Sequence, residues 1–211
     1  MGRIDAATFF SPEQLELIRQ AVVRAEESTA GEIATMVVDA SDSYREAEML
    51  GGVLLSSLLA VMTSVLIHQV TIWSYLPLVV LLFIPSQRLF RLFPRLKLSL
   101  MTRMRLEEAV RERAVRAFYE KGLYRTRGET GILIFISLLE HKVWILGDRG
   151  INARIAPRQW REMAADLAHG FREGRGCEAL CHAISRCGEE LARHLPRHGD
   201  DLNELGDSII S

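Results

Sequence analysis

The hydrophobic and polar pattern is dominated by one run, Met49 to Gln87: 39 residues without an Asp, Glu, Lys or Arg, and with His68 as the one histidine. A hydrocarbon core about 30 Å thick is crossed by roughly 20 helical residues. The run therefore predicts two antiparallel spans, Met49–Ile67 and Val70–Leu89, that turn at His68 and Gln69. Buried helices of a water-soluble core carry a polar stripe, and this run has none. Ser56, Ser57, Thr63 and Ser64 can bond back to their own helix, and Gly51 and Gly52 would let two helices approach closely. Pro77 is expected to kink the second span rather than end it.

The flanks alternate between helical and strand periods. Ser11-Pro12-Glu13-Gln14 carries the signature of a helix start, with Ser11 as cap and Gln14 closing a capping box. Leu15, Ile18, Val22 and Ala25 form that helix's apolar face. Thr29-Ala30-Gly31 breaks the helix, and residues 32–39 read as a strand. Beyond the apolar run, Leu106 to Lys121 is amphipathic and is stopped by Gly122. Gly131 to Ser137 is a continuous apolar strand, Lys142 to Leu146 its hairpin partner, and Pro157 to Phe171 and Glu178 to His194 are closing helices. The expected division is one soluble domain from 1–48 and 103–195, a transmembrane hairpin inserted at 49–89, a basic interfacial segment at 90–102, and a flexible tail at 196–211.

Charge sharpens this division. The whole chain is near neutral at −1, yet residues 88–128 hold 12 basic and 4 acidic side chains, whereas residues 1–48 hold 4 and 10. Arg88, Arg91, Arg95, Lys97, Arg103 and Arg105 follow the second span, so the positive-inside rule predicts that both hairpin ends and the soluble domain are cytoplasmic. The expected location is the cell (inner) membrane. Between those cations stand Leu89, Phe90, Leu92, Phe93, Leu96, Leu98 and Leu100, the pattern of a helix lying against anionic headgroups; a solvated basic linker is the other reading. Residues 1–11 lack an apolar run of signal-peptide length, so the expected N-terminus is unexported. Cys177, Cys181 and Cys187 fit a reduced compartment.

A strand order of parallel first and second, with the third antiparallel to the second, brings Glu32, Glu129 and Asp148 to one sheet edge. Arg127 and Arg149 stand close by, with Gly31 and the turn Gly147-Asp148-Arg149-Gly150. Converging carboxylates suit Ca²⁺ or Mg²⁺, with Glu32 and Asp148 the leading ligands, and a metal there could support phosphate-ester hydrolysis. The plainer reading is a solvated strand end where arginines neutralise acids. No other chemistry is legible. Cys177-x3-Cys181-His182 departs from zinc spacing, and two of the three thiols, Cys177 and Cys187, fall on an apolar helix stripe with Leu180, Ile184 and Leu191. No Gly-x-Ser-x-Gly, phosphate loop or histidine triad is present.

Thr29-Ala30-Gly31-Glu32-Ile33, Thr130-Gly131-Ile132-Leu133-Ile134 and Gly147-Asp148-Arg149-Gly150-Ile151, in that order, resemble the TPM domain family (TPM phosphatase-like), in its membrane-anchored bacterial form. Phe171-Arg172-Glu173-Gly174 and the helix to Leu191 fit the same pattern. The resemblance implies an α/β fold, a three-layer α/β/α sandwich interrupted here by a transmembrane hairpin. It also implies acid phosphatase or divalent-cation binding in some members, and membrane-complex assembly without catalysis in others. The sequence departs from the family pattern with Gly-Asp-Arg-Gly in place of Gly-Tyr-Gly, with Asn152 where an acid is common, and with Ala156-Pro157 at another acidic position. The expectation is a non-catalytic binding or assembly module that requires no cofactor. Its expected partners are the lipid bilayer and a membrane protein, without nucleic acid; the alternative is a weak metal-dependent acid phosphatase.

Overall fold

The computed structural model describes residues 5–68, 71–126 and 128–196. Gln69, Arg127 and the expected tail beyond Pro196 lie outside the described residues. After a short 3-10 turn, the helices are α1 (Pro12–Glu26), α2 (Arg45–Leu66), α3 (Ile72–Leu92), α4 (Pro94–Ser99), α5 (Arg103–Glu120), α6 (Arg149–Asn152), α7 (Pro157–Arg172) and α8 (Gly176–His194). The strands are β1 (Glu32–Val38), β2 (Gly131–Ser137) and β3 (Lys142–Gly147). The chain divides into two compact units, residues 1–41 with 107–211, and residues 42–106.

The first unit is an α/β/α sandwich. Ser11 caps α1 and its backbone N–H donates to Gln14 Oε1 at 3.0 Å, closing the expected capping box. β2 is central, parallel to β1 and antiparallel to β3. Because side chains alternate across a strand, β2 feeds two cores. Ile132, Ile134 and Ile136 join Ile33 and Val37 beneath α1, α7 and α8, against Ile18, Leu167, Leu180, Ile184 and Leu191. Leu133 and Phe135 join Ala34 and Met36 beneath α5, against Val110, Ala114, Ala117 and Phe118. Burial on both faces explains why β2 reads as unbroken apolar sequence. Each large side chain so buried contributes about 1.5–3 kcal/mol.

At the far end of β1 a buried polar lock holds the chain as it leaves the sheet. Ser137 Oγ donates to Glu140 Oε2 at 2.5 Å, the Ser41 N–H donates to Glu140 Oε1 at 2.9 Å, and the Leu139 N–H donates to Asp39 O at 2.9 Å. The insertion therefore departs from a pinned segment.

The second unit is a helical hairpin. α2 has 22 residues and α3 has 21, so each is about 30 Å long at about 1.5 Å per residue. Both are long and apolar enough to cross a membrane. They pack antiparallel along a seam of small side chains: Gly51, Gly52, Ser56, Ala60 and Ser64 of α2 are buried, and Ser86 is buried on α3. A Cβ at position 51 would stand 2.5 Å from the Phe90 ring, and one at 52 would stand 3.1 Å from Phe83. Away from the seam the surface is apolar, with Leu66 83 % and Trp73 86 % exposed.

The helices differ from the sequence expectation at their ends. α2 begins at Arg45, ahead of the charge-free run, where Glu46 and Glu48 suit the positive end of the helix dipole. α3 passes through Pro77 and Pro85 to Leu92. The basic segment is not one helix. Phe93 leaves helical geometry (φ −118°, ψ 80°) because Pro94 disfavours the α conformation in the residue before it, and Pro94 then starts α4.

Candidate functional site

β1 opens at Glu32, opposite Gly131 of β2, and Gly147 at the end of β3 lies opposite Ile132. This register puts the start of β1, the start of β2 and the end of β3 at one sheet edge. Glu32 is the most enclosed of the three predicted acids, at 8 % exposure. Its side chain lies on the same sheet side as Ala34 and Met36, and its N–H donates to Thr130 O at 3.2 Å. Glu129 is exposed, with left-handed backbone at φ 57°. Asp148 is half-buried and caps the short α6: Oδ1 accepts from the Arg149 N–H at 2.7 Å. Its Oδ2 is buried and has no hydrogen-bond partner among the described residues.

The glycines of the turn allow a close approach of loops. A Cβ at Gly150 would collide with the Gly128 carbonyl oxygen and stand 2.8 Å from that of Glu129. Only hydrogen at position 150 lets α6 sit on the 128–129 loop. The Asp148 N–H donates to Gly131 O at 2.9 Å, and Asn152 Nδ2 donates to Gly147 O at 2.5 Å, which ties α6 to β2 and β3. Gly31 packs beneath Leu191, where an added Cβ would stand 2.8 Å from Cδ1. Arg149 is exposed on α6, and Arg127 lies outside the described residues.

A further acid at this edge was not legible. Glu26 Oε1 at the end of α1 accepts the Ile33 N–H at 2.7 Å, satisfying a donor on the outer edge of β1. Its position in an ordinary last helical turn gave no local signal. Among the described residues no three His, Cys, Asp or Glu side chains gather closely enough to hold a metal ion.

Cys187 is fully buried in the core beside Met163 Sδ at 3.8 Å, and burial pushes its thiol up to about 12. Burial, reinforced by neighbouring Cys177, pushes the Cys181 thiol up to about 11. Both remain protonated near neutrality, the state of packing side chains rather than nucleophiles.

Comparison with known proteins assigns this architecture. The structure is similar to the NMR structure of the BA42 protein from the psychrophilic bacterium Bizionia argentinensis, with a TM-score of 0.61 and 19 % identity over 98 % of this chain and 97 % of that chain. At that identity the likeness speaks for the fold alone. No curated protein matches the chain significantly. The TPM domain model matches residues 97–190, the stretch from α4 through most of α8. α1 and β1 precede the matched stretch in sequence, yet the β1–β2 register places β1 in the same sheet. Through residues 97–190, this chain carries a TPM domain.

Proposed function

We propose that the chain is a TPM-domain protein anchored in the cell (inner) membrane by α2 and α3 as a transmembrane hairpin. The α/β unit is cytoplasmic and serves as a non-catalytic binding or assembly module at the membrane surface. The observation that carries this reading is the outward surface of the hairpin. Val53, Leu54, Leu58, Val61, Met62 and Val65 of α2, and Leu76, Val80, Leu81 and Ile84 of α3, are all exposed. A core helix would bury such side chains, and a contiguous apolar surface of this extent in water drives association. The cations in the last turns of α3 and beyond it, from Arg88 to Arg105, support the cytoplasmic side.

The non-catalytic part rests on the acidic edge. Glu129 is exposed, Asp148 commits one oxygen to capping α6, and no third donor joins them in an ion-sized group among the described residues. One observation favours the second reading, a weak acid phosphatase dependent on Ca²⁺ or Mg²⁺: the buried, unpartnered Asp148 Oδ2 beside the β1–β2 edge. Hydrolysis of an aryl phosphate by the detergent-purified full chain, with and without Mg²⁺ or Ca²⁺, separates the two. The binding-module reading predicts turnover at background, unchanged in Glu32→Gln and Asp148→Asn. Metal-dependent turnover that both substitutions abolish would establish the phosphatase.

A further inference from the structure

Where the two long helices end together, the hairpin unit carries a cleft of about 190 Å³ lined by Arg45, Glu48 and Met49 of α2 and by Gln87, Arg88 and Arg91 of α3. Its charge is one-sided. The single carboxylate, Glu48, is 9 % exposed and already bound: Oε2 accepts from Lys97 Nζ at 3.0 Å, and Oε1 lies 3.8 Å from Arg91 Nε. Lys97 is equally enclosed, and its Nζ also donates to Ser43 O at 3.3 Å. Glu48 is therefore neutralised from behind by Lys97, and three guanidinium groups remain at the rim. Arg45 and Arg88 are exposed and have no ion-pair partner among the described residues. Gln87 adds an amide that can donate or accept.

We propose that this cleft is a binding site for the phosphate of an anionic phospholipid headgroup. Planar guanidinium forks match phosphate oxygens in pairs, and three of them around one concavity leave net positive charge after Glu48 is matched by Lys97. The position along the helices selects a lipid over a soluble phosphate. The cleft lies where the charge-free run begins and ends, at Met49 and Gln87. Exposed Met49, Leu50 and Val53 of α2 and Ile84 of α3 lie from the cleft toward the hairpin turn, the side on which acyl chains would run. This inference rests on the hairpin lying in a membrane and adds a ligand class to that reading.

The test is native mass spectrometry of the full chain released from nanodiscs of equal phosphatidylglycerol and phosphatidylcholine. The wild type should retain phosphatidylglycerol over phosphatidylcholine by about tenfold, equivalent to about 1.4 kcal/mol. Arg45→Gln/Arg88→Gln/Arg91→Gln should lose that preference, and single Arg88→Gln, at an exposed position without a partner, should weaken it with folding intact. Millimolar glycerol phosphate should leave the bound lipid in place. Equal retention of the two lipids by the wild type, an unchanged preference in the triple variant, or displacement by glycerol phosphate would each overturn the proposal. If the chain inserts into nanodiscs but shows no preference, the cleft assignment falls and the anchor stands. If it does not insert, the anchor itself falls.

Discussion

Lys97→Met is expected to destabilise the hairpin unit by about 3–5 kcal/mol, the cost of leaving one member of a buried ion pair without its partner. Lys97 and Glu48 are each only 9 % exposed and lie 3.0 Å apart. With the ammonium gone, Glu48 keeps only Arg91 at 3.8 Å, a contact made from a side chain that is 74 % exposed and screened by solvent. The double variant Lys97→Met/Glu48→Met replaces both charges with apolar groups of similar length and should recover most of the loss, since neither charge is left uncompensated. Thermal unfolding of the full chain in detergent, followed by circular dichroism, reads both effects. Equal melting temperatures for wild type and Lys97→Met would show that the pair does not hold the hairpin.

Gly150→Val should cost more still and remove folded protein altogether. The obstacle is backbone, the carbonyl oxygens of Gly128 and Glu129, which cannot swing aside as a side chain can. Seating α6 with a Cβ at position 150 requires either α6 or the 128–129 loop to move, which disturbs the Asp148 N–H to Gly131 O bond and the start of β2. Gly174→Ala is the informative comparison. Gly174 has φ +78° but nothing within 4 Å of an added Cβ. Its penalty is therefore only the left-handed backbone cost of about 1–2 kcal/mol. Limited proteolysis of membrane preparations should find Gly174→Ala resistant and Gly150→Val digested. Comparable resistance in both would remove the close approach at residue 150 from the account.

These two cases mark what could be read from sequence. Features written in a local period were legible: the Ser11-Pro12-Gln14 helix start, the unbroken apolar β2, the charge-free hairpin and the stop at Gly122. The strand order followed from chain topology, and with it the placing of Glu32, Glu129 and Asp148 at one edge. The Glu48–Lys97 pair was not legible, because its members are 49 residues apart and each reads locally as an ordinary surface charge. The start of α2 at Arg45 was hidden for a related reason: Arg45, Glu46 and Glu48 interrupt the hydropathy signal while continuing the helix. α6 is a single turn, too short for any periodicity to announce, although its capping residue Asp148 and the glycines around it were singled out. The Glu26 contact to Ile33 likewise depends on how α1 and β1 meet in space.

The acidic edge and the arginine cleft are different kinds of site. At the edge the carboxylates are engaged in folding: Glu26 satisfies a strand donor and Asp148 caps a helix. In the cleft the arginines at 45 and 88 make no fold-holding ion pair among the described residues, which leaves them available to a ligand. A module that binds at the membrane surface is the function that this distribution of engaged and available charge supports.

The central claim, that α2 and α3 cross the bilayer, is tested most directly by alkaline carbonate extraction of membranes from cells making the full chain. The account predicts that the protein stays in the pellet at high pH, as a transmembrane hairpin does, and is released only by detergent. Recovery in the carbonate supernatant would contradict it.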